Sequence, residues 1–162
     1  MKNISTIFIS YSRKDTKTAK WLENQLLEKN FKVLIDLSEI IIGEEWWLRL
    51  QELILQADQV IFLMSFNSVN SAVCNEEIKY AKSLNKRIFP VLIDNIDWGL
   101  VPEGLSKIQS IYLDASVENN IAIDRLTSAL TLNLQWVKEH TRLLNRASNW
   151  KLKHEIDEEL LF

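Results

Sequence analysis

Glycine is scarce: Gly43, Gly99 and Gly104 are the only three in 162 residues. Neither G-x-G-x-x-G nor G-x-x-x-x-G-K-[ST] occurs, which excludes the backbone cradles that hold dinucleotides and nucleoside triphosphates. No serine sits in G-x-S-x-G, so the usual nucleophile elbow is absent as well. Cys74 is the single cysteine and cannot close an internal disulfide; with two distant histidines, His140 and His154, it makes no standard Cys/His zinc site. No metal is expected, and the cysteine usage fits a reducing cytoplasmic setting. Basic blocks are missing too. The 22 carboxylates and 19 Lys and Arg are interspersed to a net charge of −3, which argues against nucleic acid or an anionic membrane surface as a partner. No apolar run approaches the roughly 20 residues a membrane helix needs, and Thr6–Ser10 is too short for a signal-peptide core.

What is present fits one domain with its own core, since 47% of the residues are apolar and 25% charged. Short β-branched or aromatic runs alternate with segments of helical period, the pattern of βαβ units around a parallel sheet. Strands are expected at Thr6–Ser10, Phe31–Ile35, Gln59–Ser65, Arg87–Ile93 and Ser110–Leu113. Val60–Met64 and Ile88–Ile93 are continuously apolar, as in strands covered on both faces. Pro90 runs against this, because a residue without an N–H suits an edge or a bulge. Helices are expected after Asp15 as N-cap, over Glu44–Ala57, from Ser71 to before Lys86, and over Asn119–Leu132. In the second of these, Trp46 and Trp47 belong to the apolar stripe, and only one of them can face fully inward.

From Asn133 the character changes. Trp136, His140, Leu143, Ala147 and Trp150 recur at intervals of four, three, four and three, a seam-like spacing on a helix. Such a helix either packs on the domain as its last element or connects it to something further, and Leu160-Leu161-Phe162 end the chain on apolar residues.

In doubly wound sheets ligands sit outside the carboxyl ends of the strands. Those ends carry Tyr11, Ser12 and Arg13, then Asp36, then Ser65 to Glu77, then Asp94, Asp97 and Trp98. Glu77 stands out. At 100° per residue it shares a side with Cys74, Ile78, Ala81 and Leu84, while Glu76 points almost the opposite way. A carboxylate in an apolar stripe is either a satisfied ion pair, with Arg13 or Lys79, or a functional acid. Three adjacent aliphatics, Ile40, Ile41 and Ile42, precede Gly43 in a loop and suggest an interface.

Ile7-Phe8-Ile9-Ser10-Tyr11-Ser12-Arg13-Lys14-Asp15 resembles the opening strand and loop of a TIR (Toll/interleukin-1 receptor) domain. Asp36 with Gly43 and Trp46 or Trp47 resembles its BB loop and next helix. Ser65, Ser68 and Ser71 followed by Cys74-Asn75-Glu76-Glu77 and Ala81 resemble the Cys-x-x-Glu segment of bacterial members. The resemblance spans about residues 4–132, dividing the chain into a TIR domain at 1–132 and a helical extension or connector at 133–162. It implies an α/β flavodoxin-like fold, with a five-stranded parallel sheet, helices on both faces and the C-terminal extension.

For function the resemblance implies cleavage of the nicotinamide–ribose bond of NAD⁺, by hydrolysis or by cyclisation of the ADP-ribosyl group, switched on by self-assembly in immune or anti-phage signalling. NAD⁺ is then a substrate, and no cofactor is implied. The family's catalytic glutamate maps onto Glu77. Tyr11, Ser12, Arg13, Asp36, Ile41 and Val73 map onto the substrate pocket, and Ile40, Ile41, Ile42 and Gly43 onto the contact between protomers. Val73 departs from the pattern, since many active bacterial members carry Trp there. Glu139–Ala147 resembles the connector of multidomain TIR proteins, implying a sensor domain after residue 162. The alternatives are a TIR–TIR interaction module without catalysis and a nucleoside-processing enzyme on a similar sheet.

Overall fold

The computed structural model describes residues 5–35, 44–108, 110–113 and 120–160. Five strands, β1 (Thr6–Ser10), β2 (Lys32–Leu34), β3 (Gln59–Met64), β4 (Arg87–Leu92) and β5 (Ile111–Tyr112), form one parallel sheet in the order β2-β1-β3-β4-β5. The helices are α1 (Thr16–Glu28), α2 (Glu44–Gln56), α3 (Phe66–Val69), α4 (Ala72–Ser83), α5 (Asn120–Thr131) and α6 (Leu134–Leu160). Side chains alternate across the sheet. Ile7, Ile9, Ile61 and Leu63 pack with Leu22 and Leu26 of α1 and with Leu126 and Leu130 of α5. Phe8, Val60, Phe62 and Met64 pack on the other face with Leu50 and Ile54 of α2 and with Ile78 and Ala81 of α4. This is the flavodoxin-like, doubly wound arrangement expected from the sequence. Among the described residues, no helix is long and apolar enough to cross a membrane.

The two edge strands, each paired on one side, are shorter than their apolar runs suggested, three and two residues. That shortness also resolves Pro90. The Ile93 N–H bonds to Met64 O, so odd-numbered residues of β4 face β3 and the missing N–H of Pro90 faces β5. Yet β5 pairs only with Val91 and Leu92, so no ladder bond is lost. The scarcity of glycine is met by asparagine. Asn30, Asn85 and Asn133 take left-handed φ values of 67°, 54° and 55° just beyond α1, α4 and α5.

The amino ends of the strands are closed by buried polar groups. Gln59 donates to Ser5 Oγ at 3.0 Å and to Leu130 O at 2.7 Å, and accepts from Arg87. Asp58 Oδ2 accepts from Thr6 N at 2.8 Å and pairs with Lys138 of α6 at 3.1 Å. Lys86 Nζ donates to Leu55 O and Ala57 O, the carbonyls freed at the end of α2, and reaches Thr141 Oγ1 of α6 at 3.5 Å. His140 Nε2 contacts Leu84 O at 2.8 Å. The last helix therefore packs on the domain, but through Val137 and Thr141 rather than through the tryptophan seam, most of which faces solvent.

Lys86→Met is expected to lower stability at pH 7 by about 1–3 kcal/mol in urea melts, because two carbonyls lose their donor. Burial pulls the Lys86 pKa from 10.5 down to about 8, against the opposing pull of Asp58. Below about pH 8 both folded and unfolded chains hold this proton. Between about 8 and 10.5 only the unfolded chain does, so raising pH there favours the folded state. The stability of the natural protein should thus rise with pH relative to that of Lys86→Met across that window.

Candidate functional site

The strand order reverses between β1 and β3, so the crevice beyond their carboxyl ends is where this sheet would hold a ligand. The loops that follow these two strands are tied together. Ser65 Oγ, immediately after β3, donates to Asp15 Oδ2 at 2.5 Å across 50 residues of sequence. Asp15 stands at the N-cap position of α1, as expected, but its side chain caps nothing; the preceding 3-10 turn, Arg13–Asp15, is capped by Ser12, whose side chain accepts from Lys14 N at 3.4 Å.

Three serines then fix the course of the chain from β3 to Glu77. Ser65 and Ser68 cap α3 reciprocally, Ser68 N donating to Ser65 Oγ at 3.0 Å and Ser65 N donating to Ser68 Oγ at 2.8 Å. Ser68 Oγ also donates to Leu63 O at 2.6 Å, tying the short helix to the strand before it. Ser71 caps α4, accepting from Cys74 N at 3.2 Å. Because α4 starts there, its buried stripe is Cys74, Glu77, Ile78 and Ala81, while Glu76 points to solvent. Glu77 is only 6% exposed. Arg13 and Lys79 are exposed.

Electrostatics bring the neighbours of Cys74 into view. Its thiol pKa is pushed up to about 11, first by burial and then by the charge of Glu77, with a smaller push from Asp15, against the opposing hydroxyls of Ser71 and Ser10. Groups from β1, the first loop and α4 thus converge on one sulfur. At neutral pH that thiol is protonated, which fits a small core residue and not a nucleophile.

The other expected site residues are spread more widely. Tyr11 is 9% exposed and packs in the cluster beneath α1 and α5, whereas Cys74 and Glu77 lie on the α4 side. Arg13 is exposed on the rim, and Val73, directly before Cys74 on α4, is 39% exposed. Asp36, Ile40, Ile41, Ile42 and Gly43 lie outside the described residues. Trp46 and Trp47 are both half-buried, so neither faces fully inward; Trp47 meets Tyr80 edge-on at 6.2 Å and joins α2 to α4. Sequence reasoning missed the Asp15–Ser65 bond and the exposed Phe66 that opens α3. The first joins residues whose proximity depends on strand order, and no local pattern signals it. A groove of about 530 Å³ lined by Thr6, Asp58, Lys138 and Arg142 lies at the opposite, amino end of the strands.

The family model for the TIR domain matches residues 7–127. Among solved structures, the TIR domain of the Toll-related receptor TRR-2 from Hydra magnipapillata superposes with a TM-score of 0.64 at 16% identity, covering 76% of this chain and 96% of that one. A prokaryotic SEFIR domain superposes with a TM-score of 0.55 at 17% identity, covering 80% and 99%. At these identities the two superpositions speak for the fold alone. Compared with curated proteins, the chain has no significant match. The family match runs from β1 into α5 and takes in both loops of the crevice and Glu77, and on that ground the chain belongs to the TIR domain family.

Proposed function

We propose that this TIR domain cleaves the nicotinamide–ribose bond of NAD⁺, with Glu77 as the catalytic carboxylate. The observation that carries the reading is a carboxylate buried in the apolar stripe of α4, beside the crevice where the strand order reverses. When the C1′–N bond breaks, its electron pair leaves with nicotinamide, which departs neutral and needs no acid. Positive charge then grows on the ribose. A carboxylate in a low-dielectric surround stabilises that charge and accepts hydrogen bonds from the ribose hydroxyls. Water adds at C1′ and releases a proton to give ADP-ribose, or a nitrogen of the adenine takes its place and closes a cyclic isomer.

The remaining roles are part of the same proposal. Arg13, exposed on the rim, is suited to the diphosphate, and Ser12 fixes the turn that carries it. Tyr11 supports that loop from the core, while Asp36, Ile41 and Val73 contribute further to the pocket. Ile40, Ile41, Ile42 and Gly43 form the contact through which protomers assemble, and assembly switches the activity on. The TIR domain comprises residues 1–132 and the connector 133–162, leading to a sensor domain; the setting is cytoplasmic immune or anti-phage signalling. One observation favours a second reading, a TIR–TIR interaction module without catalysis: Val73 places a small aliphatic on the rim where an aromatic face would hold nicotinamide.

Concentrated protein should release nicotinamide from NAD⁺, and Glu77→Gln, which keeps shape and removes charge, should lower the rate by roughly 10²–10³-fold or more without loss of fold. Silence from both proteins, with assembly verified by light scattering, would establish the interaction module instead. Cys74→Ser should retain most of the activity, because the thiol takes no part; a loss comparable with that of Glu77→Gln would assign the sulfur a chemical role. Ile41→Asp should leave a folded protein that no longer forms assemblies larger than a dimer and no longer turns over NAD⁺, checked by sedimentation and nicotinamide release together.

A further inference from the structure

The seam of α6 faces away from the domain. With Thr141 of α6 pointing inward, Leu143, Ala147 and Trp150 lie roughly 120–180° around the helix at 100° per residue. Trp136 and Trp150 are each 63% exposed and Leu143 is 50% exposed. Trp136 is nonetheless held in one orientation. It stacks on the His140 ring at 5.5 Å with 3° between the planes, and His140 is tied to Leu84 O. An exposed aromatic that is already ordered binds without a large entropic cost, which is the character of an interface anchor.

We infer that this face is the site of an antiparallel dimer, in which α6 of a second copy of the chain lies along Trp136, Leu143, Ala147 and Trp150. The inference is independent of the NAD⁺ reading. The seam's four-three-four-three spacing puts His140 and Ala147 at the a positions of a heptad and Trp136, Leu143 and Trp150 at the d positions. In a parallel pair equal residues would meet, Ala147 on Ala147 and Trp150 on Trp150, leaving a gap beside an overfilled layer. In the antiparallel pair a meets d, so Leu143 packs on Ala147 of the second copy, large against small, and Trp150 meets the smaller ring of His140 instead of a second Trp150.

Charge selects the same orientation. The flanking g positions are Glu139, Arg146 and Lys153. Antiparallel pairing sets Glu139 of each copy against Lys153 of the other, two opposite-charge contacts, with one like-charge meeting of Arg146 at the two-fold axis. Parallel pairing would set Arg146 against Lys151 twice. Glu139 is already fixed at the seam's edge by Arg142 Nε at 3.0 Å. Area is sufficient as well. Two tryptophans from each copy, at about 150 Å² apiece, with Leu143, Ala147 and the flanking stems bring the contact to roughly 1,000 Å², the threshold for a specific interface. The symmetry closes on itself, so the contact makes dimers and leaves no free seam.

Analytical ultracentrifugation of the full chain should show a dimer at high concentration, and Leu143→Asp, at an exposed position, should weaken it at least tenfold while leaving the circular dichroism unchanged. Orientation is read by disulfide trapping. The natural Cys74 is buried and does not compete, so a mixture of Leu143→Cys and Ala147→Cys proteins should crosslink to each other faster than either does to itself. A monomer at every concentration would overturn the inference and give the seam to a different protein. A dimer indifferent to Leu143→Asp, or Ala147→Cys crosslinking to itself more readily than to Leu143→Cys, would overturn it as well.

Discussion

Every residue of β3, Gln59 through Met64, is buried, and the rest of the architecture answers to that condition. A strand apolar on both faces needs a neighbour on each side and a helical layer above and below. β1 and β4 supply the neighbours, α1 and α5 one layer, α2 and α4 the other. Polar side chains are thereby driven to the two ends of the sheet, and the ends use them differently. At the amino end Asp58, Gln59, Lys86 and Arg87 spend their hydrogen bonds on backbone carbonyls, a backbone amide, each other and the side chains of Ser5, Lys138 and Thr141. At the carboxyl end two carboxylates, a thiol and several hydroxyls gather under two loops joined by a serine–aspartate bond. The first arrangement holds the fold closed, and the second gathers polar groups beside the crevice where the strand order reverses.

The buried stripe of α4 was legible from periodicity, because that helix covers the sheet with one face and Glu77 falls on it by spacing alone. The inner strands were legible for the same reason, as continuous apolar runs. What escaped was set by partners distant in sequence or by elements too short to show a period. α3 has four residues, and its only sequence signal is a serine at each end of its capping box. Asp15 reads locally as an N-cap, yet the geometry of two neighbouring strands turns its carboxylate toward Ser65. Pro90 reads as an objection to a central strand, and only the two-residue length of β5 removes it.

Cys74 and Glu77 constrain one another. Both lie inside the same apolar stripe, and in a poorly polarisable surround two anions so placed would each raise the cost of the other. The thiol yields, because its ordinary pKa leaves it neutral at pH 7 even before burial and the nearby carboxylate push it higher. The consequence is chemical. The sulfur is neither base nor nucleophile there. Ser10 and Ser71, the hydroxyls that oppose the shift at the thiol, come from β1 and from the cap of α4, so the strand and the helix start that shape the crevice also set its electrostatics.

α6 inverts the usual amphipathic pattern. A helix shaped only to pack on this domain would turn its tryptophans inward and its lysine and threonine outward. Here Thr141 and Val137 are buried, Lys138 reaches in to Asp58, and Trp136, Leu143 and Trp150 face solvent. The attachment to the domain therefore rests largely on directed polar contacts, from Lys138 to Asp58, from Lys86 to Thr141 and from His140 to Leu84 O. Such contacts fix the helix in one rotation about its axis, where an apolar stripe alone would tolerate several. That rotation is what holds the heptad seam in the open, so the polar face fulfils a positioning role for the apolar one.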